Sequence, residues 1–118
     1  MKELLNEKRI SGIEVGSVDL WQGREKDIIL YSAVRHDPID RRMERDGVLG
    51  HAADPRRFCV AVSRARNQMV IFGAPFTLAT DSNWARLLRT CLRQRTVKGL
   101  PVNQLNQLSY RMHKRWNI

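Results

Sequence analysis

Two clusters of residues in this chain could do chemistry. The first is the polar turn Gln22-Gly23-Arg24-Glu25. It lies between the apolar positions Ile13, Val15 and Val18, read as a strand end, and the apolar run Ile28–Val34. A glycine there lets backbone approach a ligand closely, and turns held by a rigid sheet collect binding groups. The second cluster is Arg56-Arg57-Phe58-Cys59-Val60-Ala61-Val62-Ser63-Arg64-Ala65-Arg66. Its apolar residues Phe58, Ala61, Val62 and Ala65 fall at i, i+3, i+4 and i+7, the stripe of a helix. Arg57 and Arg64, seven apart, share one edge of that stripe, and Arg66 falls near the other. A guanidinium desolvated at such a rim needs an anionic partner. A core-edge carboxylate or a phosphate would each serve, and the spacing leaves both open.

The elements that must position these clusters alternate in type. Met1 to about Arg9 reads as a helix with Leu4 and Leu5 as its apolar pair, and the helix–strand unit 1–18 looks like the middle of an α/β pattern. Ile28–Val34 is apolar without alternation, the pattern of a strand buried on both faces of a parallel sheet. Residues 35–55 are irregular and contain His36 and His51, without metal-ligand spacing to each other or to a cysteine. Asp54-Pro55 offers an N-cap and a first-turn proline for a helix from Arg56 to about Arg66. Met69–Gly73 reads as a third buried strand. Asp81 or Ser82 then caps a helix to about Gln94, with Trp84, Leu87, Leu88, Cys91 and Leu92 inward and its arginines spread over the other faces. Residues 102–118 are weakly periodic and read as a docked or fraying tail. The fold expected is α/β, a mostly parallel sheet of three core strands with helices on its faces.

Composition sets bounds. The chain has 118 residues, 42% hydrophobic content and a net charge of +9. That suits one small domain with a modest core. No apolar run approaches the ~20 residues of a membrane span, and the charged N-terminus is unlike a secretory signal. Cys59 and Cys91, without motif spacing, fit a reducing compartment, so an intracellular protein, cytoplasmic or nuclear, is expected. The charge is mostly arginine, whose planar fork suits phosphate, and a basic balance favours a polyanion such as nucleic acid.

Val15-Gly16-Ser17-Val18-Asp19-Leu20-Trp21-Gln22-Gly23-Arg24-Glu25-Lys26-Asp27 resembles motif V of superfamily 1 helicases of the Up-frameshift/DNA2-like branch, roughly V-G-T-V-D-x-F-Q-G-x-E-x-D. Ser17 stands for the Thr and Trp21 for the Phe. The segment Arg56–Arg66 resembles motif VI of the same branch, roughly R-R-x-N-V-A-x-T/S-R-A-R/K, and Gly47-Val48-Leu49 resembles the G-F-L before it. Cys59 stands where the family has Asn. The resemblance covers residues 1–108, a partial C-terminal RecA-like domain of the P-loop NTPase fold, and leaves 109–118 as a C-terminal tail.

This resemblance implies a helicase of two RecA-like domains, with ATP and Mg²⁺ in the cleft between them and nucleic acid across both. It implies Arg64 as the arginine that reaches the γ-phosphate. It implies Gly23 and Glu25, with Arg57 as a secondary candidate, near the nucleotide or the inter-domain contact. Ser17 and Gln22 would touch single-stranded RNA or DNA. No G-x-x-x-x-G-K-[ST] and no Walker-B-like acidic pair occurs in these 118 residues, so half an active site is expected, inactive without the first RecA-like domain. No metal site is expected here. The other reading is a non-catalytic module that binds nucleic acid or a partner through its basic surface.

Overall fold

The computed structural model describes residues 1–33 and 53–118. Val34, His36, Gly47-Val48-Leu49 and His51 lie outside the described residues. Helix α1 (Lys2–Glu7) opens the chain and a 3-10 turn follows at Val18–Trp21. Then come β1 (Lys26–Ala33), α2 (Pro55–Ser63), β2 (Ala65–Gly73) and α3 (Pro75–Leu78). Two longer helices end it, α4 (Ser82–Arg93) and α5 (Val102–Trp116). Strands β1 and β2 pair in parallel, with Leu30 opposite Val70 and Ala33 opposite Gly73. A parallel pair joined through a helix is the βα β unit of an α/β fold, and the sheet has two strands among the described residues.

Local chemistry explains the helix starts. Asp54 accepts the Arg56 N–H at 2.8 Å, and Pro55 occupies the first helical position of α2. Asp81 accepts from the N–H groups of Asn83 and Trp84, each at 3.0 Å, to cap α4. Both caps satisfy donors that the helix cannot. Helix α2 is shorter than its apolar period suggests. It ends at Ser63 with Arg64 as C-cap, and Ala65 already belongs to β2. Strand pairing of the Ala65 backbone thus overrides the helical stripe.

Packing is layered. One face of the sheet carries Tyr31, Ala33 and Ile71 against α2 and α4. Trp84, 1% exposed, sits between them, stacked on Tyr31 at 5.7 Å and edge-on to Phe58 at 4.9 Å. The opposite side of α4 packs on α5, where Ala85, Leu108 and Met112 are buried. Trp116 donates its indole N–H to the Ala79 carbonyl at 2.8 Å, and Arg89 donates to Ser109 Oγ at 3.0 Å. The first bond joins the end of α5 to the C-cap of α3, and the second joins α5 to α4.

Several expectations are corrected. Ile13–Val18 forms no strand; it leads into the 3-10 turn, and no strand pairs with it among the described residues. Strand β1 is not buried on both faces: Ile28 and Leu30 are 58% and 63% exposed, as is Phe72 of β2 at 56%. No helix covers that face among the described residues. Of the two readings of residues 102–118, a docked or a fraying tail, the docked one holds: α5 (Val102–Trp116) buries Leu108 and Met112. None of the described helices is long and apolar enough to cross a membrane.

An exposed apolar face on a two-stranded sheet stabilises little, so the chain is expected to melt below ~65 °C; a calorimetric midpoint well above that would contradict the packing described. Leu108, fully buried between α4 and α5, anchors the C-terminal layer. Leu108→Ala is expected to cost about 2–5 kcal/mol in urea titration; a loss under about 1 kcal/mol would show that α5 contributes little.

Candidate nucleotide and nucleic-acid site

The turn of motif V is built by its own sequence. Arg24 N–H bonds back to the Trp21 carbonyl at 3.0 Å. Between them Gln22 has φ −60° and ψ 126°, and Gly23 has φ +74°. This is a type II turn, whose third position needs a positive φ and therefore favours glycine. Gln22, Gly23 and Glu25 are all exposed on it. Ser17 precedes the 3-10 turn in extended conformation, with its side chain exposed and making no cap bond.

Charges lock the turn in place. The Arg24 guanidinium lies 4.7 Å over the Trp21 ring and pairs with Glu14. Lys26 reaches the other Glu14 oxygen at 2.7 Å. The Lys26 hydrogen bond first, and the charges of Lys26 and Arg24 with it, hold the Glu14 carboxyl below its usual range. Asp19 takes two hydrogen bonds from Arg57, at 3.1 Å and 3.0 Å. The same contact pushes the Arg57 guanidinium upward, so it stays charged throughout. Asp19 fixes the front of motif V to the first turn of α2.

The far end of motif V meets the far end of motif VI. The Lys26 N–H bonds to the Arg64 carbonyl at 3.1 Å, and Lys26 pairs with Ala65 in the sheet. Arg66 then binds Asp27 at 2.9 Å. The segment from Asp19 to Asp27 therefore runs alongside the one from Arg57 to Arg66. Sheet register brings Glu25 and Arg64, adjacent to bonded residues, to one end of α2.

The arginines of motif VI divide into two kinds. Arg57 and Arg66 have carboxylate partners, as the blander reading of their spacing allows. Arg64, like the exposed Arg56, has no acidic partner among the described residues. Its Nε and Nη2 donate to Ser63 Oγ at 3.3 Å and 3.0 Å, and that hydroxyl donates to the Cys59 carbonyl at 2.6 Å. The guanidinium is thereby aimed by a neutral relay and its charge is left uncompensated. Cys59 is exposed with a free thiol. No group of three or more His, Cys, Asp or Glu side chains able to hold a metal occurs among the described residues.

Sequence reasoning did not find Asp19, Asp27 or Ser63 as partners. Asp19 and Arg57 are 38 residues apart, and no local pattern links them. Ser63 carried a weak signal, lying four residues after Cys59, the spacing at which a helical serine bonds back to a carbonyl.

An α/β unit in which motifs V and VI meet along one helix and one strand pair defines the second RecA-like domain of a superfamily 1 helicase. Residues 1–75 match the AAA domain family. The chain is 44% identical over 103 residues to the Regulator of nonsense transcripts 1 homolog of Drosophila melanogaster, covering 87% of this chain and 8% of that protein. It is 43% identical over 96 residues to Probable RNA helicase armi of the same organism, covering 80% of this chain and 8% of the relative. It is 34% identical over 103 residues to Putative helicase mov-10-B.1 of Danio rerio, covering 85% and 10%. A search of solved structures gave no match. The chain belongs to the AAA domain family, in the Up-frameshift-like branch of superfamily 1 helicases. It spans about a tenth of the length of these curated relatives.

Glu14 gives a pH test. Its folded pKa is lowered, so its contribution to stability is present above the unfolded value, about 4.3. That contribution is lost as pH falls through the folded value. In a carbon-detected titration Glu14 is expected to titrate below the ordinary glutamate range, and Lys26→Met to move it upward. An unchanged midpoint in the variant would show that Lys26 is not the cause.

Proposed function

We propose that this chain supplies the second half of an ATP-dependent helicase site together with part of its nucleic-acid track. The observation that carries the reading is Arg64, charged, oriented by Ser63 and without an acidic partner among the described residues. A fixed guanidinium of this kind stabilises charge that develops on phosphoryl oxygens. Gly23 lets the motif V turn come close to phosphate, and Glu25 sits beside it. Arg57 acts mainly by holding Asp19, and it reaches a nucleotide or the neighbouring domain only by sharing that guanidinium. Ser17 and Gln22, exposed at the two ends of the 3-10 turn, offer short polar groups to a single-stranded RNA or DNA backbone.

The residues present fit the phosphate end of a nucleotide. ATP with Mg²⁺ would supply the transferable phosphoryl group, and Arg64 the compensating charge. No phosphate-cradling loop or acidic pair for Mg²⁺ occurs in these 118 residues. A first RecA-like domain would contribute both, and the relatives' printed names, two of them helicases, support that assignment.

ATP hydrolysis measured with single-stranded RNA present tests this reading. The chain alone is expected to be inactive, and to be active once mixed with the first RecA-like domain of a close relative. Arg64→Ala in the mixture is expected to lower the rate by about 10³-fold or more, the range for such arginines. Hydrolysis by the chain alone that Arg64→Ala abolishes would overturn the shared-site reading. An active mixture indifferent to Arg64 would remove its assigned role.

A further inference from the structure

The positive charge of this chain is not spread over the fold. All 12 acidic residues precede Ser82, while eight of the 21 basic ones follow it. Residues 1–81 are therefore close to neutral, and the segment 82–118, with six basic residues on α4 and α5 and two between them, carries nearly the whole excess. These helices lie beyond the strand pair that bears the motif V and VI residues.

Within α4 the arginines form a single stripe, contrary to the spread expected from the sequence. Arg86, Arg89 and Arg93 fall at i, i+3 and i+7, within about 60° of arc. Arg86 and Arg93 are exposed. Like charges at these spacings destabilise a free helix, and no ion pair offsets them among the described residues. Arg89 anchors the stripe to the neighbouring helix through Ser109. On α5, Asn106 and His113 lie at i−3 and i+4 from Ser109 and are exposed beside the same seam. Tyr110, adjacent to them, is 62% exposed.

We infer that the seam between α4 and α5 is a second single-stranded nucleic-acid contact, separate from the motif V turn. Arg86 and Arg93 bind backbone phosphates, and Tyr110 stacks on a base. Cationic side chains tracking a backbone beside an exposed aromatic ring are what sequence-tolerant single-strand binding requires. A membrane surface fits less well, because Leu88, Leu92, Leu108 and Met112, the large apolar residues it would take up, are packed in the core between the helices. The inference rests on the proposal that the chain handles nucleic acid and assigns it a second place to do so.

Fluorescence anisotropy of the full 118-residue chain with labelled oligouridine of about 16 nucleotides, read across a salt series, tests it. The double substitution Arg86→Gln/Arg93→Gln is expected to weaken binding about tenfold or more at low salt. It is also expected to flatten the log–log salt slope by about 1.4, the loss of two single-strand phosphate contacts. Arg86→Lys/Arg93→Lys keeps the charge and is expected to retain the slope. Tyr110→Ala is expected to weaken binding about fivefold or more without changing the slope. These positions are exposed, and circular dichroism checks that each variant keeps its helices. Ser17→Ala/Gln22→Ala separates the two surfaces. If that pair weakens binding while Arg86→Gln/Arg93→Gln does not, the seam is not a contact and the motif V reading survives. If only the seam variants weaken it, the seam holds and the motif V contact falls. A chain that ignores oligouridine but binds anionic vesicles or acidic peptides would overturn the nucleic-acid assignment.

Discussion

The fold depends on the burial of Trp84. Its ring touches Tyr31 of β1 and Phe58 of α2, and its own helix α4 is started by Asp81 three residues earlier. One side chain therefore joins three elements far apart in sequence. Aromatic pairs of this kind add about 0.5–1.5 kcal/mol beyond the area they bury. The consequence reaches function, since Phe58 lies inside motif VI and its packing fixes how α2 lies on the sheet. With α2 fixed, Arg57 at its start and Arg64 at its end have set positions relative to the motif V turn.

The contacts that join the two motifs are mostly exposed ion pairs, and these are individually weak. Arg57 to Asp19, Arg66 to Asp27 and the Glu14 pairs are screened by solvent, and each contributes little to stability. They act on geometry more than on stability. The strand pairing beneath them fixes the register, and the charges choose which side chains face one another. Arg64 stands outside this pairing, held by the Ser63 hydroxyl, which the Cys59 carbonyl in turn anchors. An arginine oriented in that way keeps its charge uncompensated among the described residues.

The two sides of the sheet show opposite states. One face is packed by Trp84, Phe58 and Leu88, and the other presents Ile28, Leu30 and Phe72 to solvent. Parallel sheets are normally covered on both faces, and an open apolar face is an association hazard. Beyond α4 the surface changes to a basic one, with its apolar residues turned inward against α5. An apolar sheet side and a basic helical side make the unit strongly two-sided.

Residues adjacent in sequence determined much by themselves. The caps Asp54 and Asp81, the proline start of α2, the glycine of the type II turn and the apolar face of α4 follow from local backbone and side-chain chemistry. So do motifs V and VI, whose residue types name the family before any fold is known. Tertiary structure decided the rest, because it turns on partners that no local pattern identifies. Asp19 finds Arg57 and Asp27 finds Arg66 only once β1 and β2 are in register. Ala65 leaves the helical stripe because its backbone is taken by the sheet. Val102–Trp116, weakly periodic alone, becomes a helix because Leu108, Met112 and Trp116 gain a hydrophobic surface that exists only in the fold.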